Sequence, residues 1–314
     1  MSKIKSILIT GGVGFLGSHL CKKLLDKNYK VICIDNLYSS SISNISNFLD
    51  NPNFTFYEQD VCNINIDEKI DIIFNLACPA SPKHYQADPV KTIQTNVIGS
   101  YNVLELAKKN NAKIFQASTS EVYGDPIISP QKESYWGNVN PIGVRSCYDE
   151  GKRAAETLFF DYHRQYNLKI KVCRIFNTYG PNMALNDGRV ISNFIIQALK
   201  NDDITIYGDG NQTRSFCYVD DLIKGILNFI ETDDHIIGPV NLGTDSELSI
   251  KEIAQKILFL TKSKSKIKYM DAVSDDPIQR KPDLTYARDL LSWKPKYDLE
   301  SGLKETIKYF KSKI

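Results

Sequence analysis

Three observations in the sequence predict an α/β chain, a doubly wound parallel sheet with a smaller, interleaved C-terminal domain. Short β-branched runs alternate with amphipathic stretches through the first half: SILIT, FLGSHLCKKLLDKN, KVICID, FTFYEQD, DIIFNLA, KIFQAS. Those runs are too apolar to face water on one side, which argues for strands covered by helices on both faces. A glycine-rich turn, TGGVGFLG, joins the first strand to the first helix. After Phe176 the pattern breaks into turns and short elements.

Bulk properties set the limits. At 314 residues the chain is long enough for one large core or two joined domains. Hydrophobic residues at 42% and charged residues at 24% are ordinary for a globular protein. Lys plus Arg is 39 against 37 for Asp plus Glu, so no global field favours nucleic acid or an anionic membrane. Any anionic ligand must be held by local groups. The seven cysteines, at 21, 33, 62, 78, 147, 173 and 217, contain no C-x-x-C pair and read as reduced thiols. The four histidines, 19, 84, 163 and 235, form no ligand pattern, and no metal is expected. MSKIKSILIT runs straight into a strand with no signal peptide or spanning segment, so a cytoplasmic protein is expected.

The elements follow in order. In FLGSHLCKKLLD the residues Phe15, Leu16, Leu20, Leu24 and Leu25 recur at helical spacing with lysines between. Asp88-Pro89 opens a long helix expected to run to about Asn110. Another helix is expected from about Tyr148 to Tyr166, ahead of the strand IKVCRIF. SNFIIQALK and YVDDLIKGILNFIE read as further helices, VNLGT as a last short strand, and SDDPIQRKPD as a loop. The domains expected are residues 1–175 with about 215–243 for a dinucleotide, and 176–214 with about 244–314 for a substrate.

TGGVGFLG holds G-x-x-G-x-x-G at 11, 14 and 17 and G-x-G-x-x-G at 12, 14 and 17. Glycines there allow a tight turn, let backbone N–H groups approach a pyrophosphate, and bring helix and strand close, as in Rossmann-type domains. The second strand ends in Asp35, 18 residues past Gly17 and near the spacing of a ribose-binding acid. A carboxylate there repels a 2′-phosphate, so NAD is expected rather than NADP. Asp60-Val61, after the third strand, reads equally as an adenine neighbour and as an ordinary strand-end turn.

CYDEGK places Tyr148 and Lys152 four apart on one helix face. A phenol is a poor base near neutrality unless a neighbouring ammonium favours the phenolate. Tyr309 and Lys313 match the same spacing, in what looks like a terminal surface helix. Context separates the pairs. The run QASTSEVYG follows a buried strand and puts Thr119, Ser120 and Glu121 at its carboxyl end, where the ligand crevice of a parallel sheet lies, facing Tyr148.

TGGVGFLG, STSEVYG, the Y-x-x-x-K helix and RSFCYVDD appear in the order found in the extended short-chain dehydrogenase/reductases, which the chain resembles over nearly its whole length. Within that family, NLACPASPKHY, ASTSEVYGDP, YWGNVNPIGVRSCYDEGKRAAET, RIFNTYGPNMALNDGRVISNF, YGDGNQTRSFCYVDDL and DDPIQRKPDL resemble the UDP-glucuronate decarboxylases. Val144 departs from the proline expected there and touches only a local turn.

The resemblance implies NAD bound by Gly11, Gly14, Phe15, Leu16, Gly17, Asp35, Asn36, Asp60, Val61, Leu76, Ala77, Thr95, Tyr148 and Lys152. It implies catalysis by Thr119, Glu121, Tyr148, Lys152 and Arg280, with Arg280 and Glu121 positioning the sugar carboxylate and assisting protonation. It assigns Ser120, Asn177, Arg189, Tyr207, Arg214 and Arg280 to the UDP-sugar, and a homodimer through paired helices. On its own, Arg280 reads as a surface arginine on a polar loop.

Sister reactions stay in view. All begin with oxidation at C4, and a 4-epimerase needs little more. A 4,6-dehydratase carries Asp where this chain has Ser120, and a serine is too weak an acid to help expel water. A non-catalytic NAD-binding protein is expected to have lost Thr119, Tyr148 or Lys152, and all three are present.

Overall fold

The computed structural model describes residues 4–271 and 279–314. Of the loop SDDPIQRKPD, residues 274–278 lie outside the described residues. The strands β1 (Ser6–Thr10), β2 (Lys30–Asp35), β3 (Phe54–Glu58), β4 (Ile72–Asn75), β5 (Lys113–Thr119) and β6 (Ile170–Ile175) form one sheet with a strand at Val240–Leu242. Its order is Val240–Leu242, β6, β5, β4, β1, β2, β3, and every pairing is parallel. The order reverses between β1 and β4, which opens a crevice at the carboxyl ends of those strands.

Strand periodicity of two sorts the sheet residues into two cores. Ile7, Ile9, Val31, Cys33, Phe74 and Phe115 face one, with Leu20 and Leu24 of helix α1 (Phe15–Asp26). Leu8, Ile32, Ile34, Ile73, Ile114 and Val172 face the other. Each such side chain, fully buried, contributes about 1.5–3 kcal/mol. A one-residue slip in any strand would therefore exchange the two faces.

The helix expected from Pro89 to Asn110 is interrupted. After α2 (Pro82–Ala87) come α3 (Pro89–Gln94), a wide π-type turn at Thr95–Gly99, and α4 (Ser100–Asn110). Two causes are visible in the turn. Thr95 Oγ1 donates to the Lys91 carbonyl and Asn96 Nδ2 to that of Thr92, at 2.8 and 3.2 Å. At Gly99 a Cβ would come within 2.6 Å of Val61, so the helix approaches the end of β3 closely.

Helix α5 (Ser146–Tyr166) packs beside α4 and ends at Asn167, which takes φ 54°. Helices α6 (Val190–Lys200) and α7 (Val219–Ile230) follow. Thr213–Ser215 pairs with Glu247–Ser249 and with Gln279–Arg280 in a small sheet, and Ile204–Tyr207 pairs with Ile267–Met270. In YVDDL, Asp221 is structural. Its Oδ2 accepts the N–H groups of Lys296 and Tyr297 at 2.8 Å, tying the C-terminal segment to α7.

Candidate active site

The crevice is a cavity of about 950 Å³. One end is made mostly of backbone. Gly11 takes φ 68° and lies so close to Ala77 that a Cβ would meet its backbone at 2.9 Å; at Gly17 a Cβ would fall 2.1 Å from the Gly11 carbonyl. That cradle fits a pyrophosphate approaching the start of α1. Asp35, at the end of β2, accepts from Leu37 N and Ser40 Oγ at 2.9 Å and from Val13 N at 3.1 Å. Burial raises its pKa, and those donors oppose the shift. The carboxylate is thus fixed at the cavity wall, in position for ribose hydroxyls.

Phe15, Leu16, Asn36, Val61, Leu76, Ala77 and Thr95 line the same end. Asp60 does not. Its carboxylate is committed to Asn36 Nδ2 at 2.9 Å, Cys62 N at 2.8 Å and Lys91 Nζ at 2.8 Å. Burial works the other way, but Lys91 and these donors hold its pKa down at about 2. Asp60 therefore shapes the wall from behind.

The other end gathers charge. Tyr148 is buried, its ring stacked on Tyr85 at 5.1 Å and 9°. Lys152 Nζ lies 5.8 Å from that ring and donates to the Ala117 carbonyl at 2.9 Å. Burial pushes the Tyr148 phenol well up and the Lys152 ammonium down; the Thr119 hydroxyl opposes the first shift. Thr119 closes β5 and accepts from Glu121 N at 3.2 Å. The second matching pair, Tyr309 and Lys313, also reaches the cavity wall, which the reading as a plain surface helix missed. Tyr148 differs by its place next to Thr119.

Glu121 sits between two guanidinium groups. Arg145 Nη2 approaches Oε2 and Arg280 Nη1 approaches Oε1, both at 2.5 Å. Burial would raise its pKa, yet Arg280 and Arg145 hold it down at about 2. Arg280 also donates to Ser120 Oγ at 3.2 Å and to the Gly124 carbonyl at 2.9 Å. It is 2% exposed and stands behind Glu121 rather than among the lining residues. The surface arginine that the bare sequence suggests is a buried clamp. The guanidinium groups near Glu121 that line the cavity are those of Arg145 and Arg214.

Asn177, Arg189, Tyr207 and Arg214 line the part nearer the C-terminal layer. Arg189 grips Asp187 with Nε at 2.5 Å and Nη2 at 2.7 Å and lies 5.7 Å from the Phe15 ring. Arg214 Nη1 donates to the Thr213 carbonyl at 2.9 Å, and Tyr207 is half exposed. Three residues of this site went unremarked in the sequence reading: Tyr85, Arg145 and Asp149. The signal was present for two of them, since Arg145 and Asp149 are four apart and flank Tyr148 at the start of its helix.

Residues 7–243 match the model of the NAD dependent epimerase/dehydratase family. The chain is 53% identical over 298 residues to UDP-glucuronic acid decarboxylase 5 of Arabidopsis thaliana, covering 95% of this chain and 86% of that protein. It is 48% identical over 310 residues to UDP-glucuronic acid decarboxylase 1 of Danio rerio, covering 99% and 73%. Among solved structures, UDP-glucuronic acid 4-epimerase of Bacillus cereus with UDP-glucuronic acid and NAD superposes with a TM-score of 0.89 at 30% identity, covering 98% and 100%.

Proposed function

Because the chain belongs to the NAD dependent epimerase/dehydratase family, we propose that it is an NAD-dependent UDP-glucuronate decarboxylase that forms UDP-xylose. The observation that carries this reading is the corner where Glu121 lies between Arg145 and Arg280 beside Thr119 and Tyr148. A cationic corner suits a sugar that bears a carboxylate. Ser120, held by Arg280, offers no acid for expelling a hydroxyl.

The glycine cradle and Asp35 would hold NAD, with Lys152 available to its nicotinamide ribose; when bound it would supply the acceptor for the C4 hydride and the donor that restores it. Tyr148 Oη accepts the C4 hydroxyl proton, and Thr119 Oγ shares it. Lys152 favours the phenolate, which burial and the nearby Glu121 charge oppose. Once C4 is a ketone, the C5 carboxylate is β to it. The C5–C6 bond breaks, CO2 leaves, and the electron pair passes into an enolate. The Tyr148 and Thr119 hydroxyls stabilise the enolate oxygen by hydrogen bonds. Glu121 is ionised, so it orients the arginines rather than donating the C5 proton, which comes from solvent.

In the same reading Asn177, Arg189, Tyr207 and Arg214 hold the UDP portion, with cations toward the diphosphate. A homodimer through the helical layer is supported by Val90, Ile93, Ile98 and Tyr101, which are exposed on α3, the π-type turn and α4. The test is incubation of the pure protein with UDP-glucuronate and NAD. Release of CO2 with a UDP-pentose is expected. UDP-galacturonate without CO2 would identify a 4-epimerase instead.

A further inference from the structure

Asp149 follows the catalytic tyrosine in the first turn of α5, and nothing in the mechanism above uses it. Its side chain is 9% exposed. Oδ2 lies 3.7 Å from Arg145 Nε, too long for a strong pair, while Oδ1 is buried with no hydrogen-bond partner among the described residues. Glu121 holds the same arginine at 2.5 Å and a second one besides. Two carboxylates thus compete for Arg145, and Glu121 has the better geometry. A carboxylate with a buried, unpartnered oxygen costs more than a carboxylic acid in the same place.

We propose that Asp149 is a positioning residue that works as a neutral acid: by keeping its proton it leaves Arg145 to Glu121 and adds no second negative charge beside an anionic sugar. The inference rests on the reading of the site as one that takes a carboxylated sugar. The groups facing Asp149 come from four elements. Cys147 and Tyr148 share its helix, Arg145 immediately precedes that helix, Glu121 lies on the turn after β5, Arg280 on the Gln279–Arg280 strand, and Tyr85 on α2. Burial and the Glu121 charge push the Asp149 pKa up to about 7, against the pull of Arg145 and Arg280. The start of a helix favours an anion, and burial outweighs it here.

The sign follows from linkage. A carboxyl whose folded pKa is raised stabilises the fold relative to the charged form below its unfolded pKa, and that contribution is lost as pH rises through about 7. Melting temperatures of the wild type and Asp149→Asn, without substrate, are therefore compared from pH 5.5 to 8.5. The expected result is a difference in favour of Asp149→Asn that grows as pH rises towards about 7 and levels off above it. A difference independent of pH, or one that increasingly favours the wild type, overturns the proposal.

In turnover, wild-type kcat/KM for UDP-glucuronate is expected to fall by up to about tenfold per pH unit above the same point, and the variant to lack that limb. An identical limb in the variant also overturns it. If neither protein releases CO2, the decarboxylase reading fails, and the melting comparison still decides the state of Asp149.

Discussion

The two ends of the cavity are made of different materials. The dinucleotide end is mostly backbone and glycine with one carboxylate fixed by local donors, its cradle and acid drawn from the first two strands and the turns that follow them. The sugar end is a set of charges brought together from distant segments, with Arg280 reaching Ser120 across 160 positions. Shape holds the first end and electrostatic balance the second. Steric changes should therefore damage cofactor retention, and charge changes should damage chemistry on the acidic sugar.

The largest effect expected is at the centre of the sugar end. Tyr148→Phe removes the hydroxyl that moves the C4 proton and should lower kcat about 10³–10⁴-fold, measured as CO2 release, with little change in melting temperature. Next is Arg280→Ala, which strips Glu121 of one partner and leaves the Gly124 carbonyl without its donor. Breaking a buried pair from one side costs about 3–5 kcal/mol, read by denaturant unfolding. Unchanged stability there would show that Arg280 is no clamp.

At the dinucleotide end, Gly17→Ala forces a shift because its Cβ would sit 2.1 Å from the Gly11 carbonyl. A stability loss of about 1–3 kcal/mol and a fall in retained NAD are expected. Normal NAD content in that variant would undo the claim that backbone shape holds this end. The smallest effect is a control on the surface. Lys27 and Glu231 pair at 3.3 Å with both side chains exposed, and Lys27→Ala should change stability by less than about 1 kcal/mol.

The same division explains what the sequence made legible. TGGVGFLG and Asp35 are local signals with a mechanism, so the sheet, its switch point and the glycine cradle follow from them. Tyr148, Lys152, Thr119 and Glu121 were legible once a strand end and a helix were placed opposite each other. Arg280 was legible only through the resemblance, since its burial depends on a short strand pairing with Thr213–Ser215, which no periodicity announces. Asp149 was hidden for another reason. An acidic residue in the first turn of a helix is ordinary, and only its depth beside Glu121 and Arg145 gives it a chemical part. The interrupted helix at Thr95–Gly99 likewise depends on contact with Val61, a tertiary demand that helical spacing does not contain.

The central claim is that C4 is oxidised and re-reduced within one active site while C5 exchanges its carboxylate for a solvent proton. Turnover of UDP-glucuronate in D2O, read by proton NMR and mass spectrometry of the product, tests it most directly. One deuterium at C5 of UDP-xylose and none at C4 is the predicted result. Deuterium at C4, or a product that keeps its carboxylate, would contradict the account.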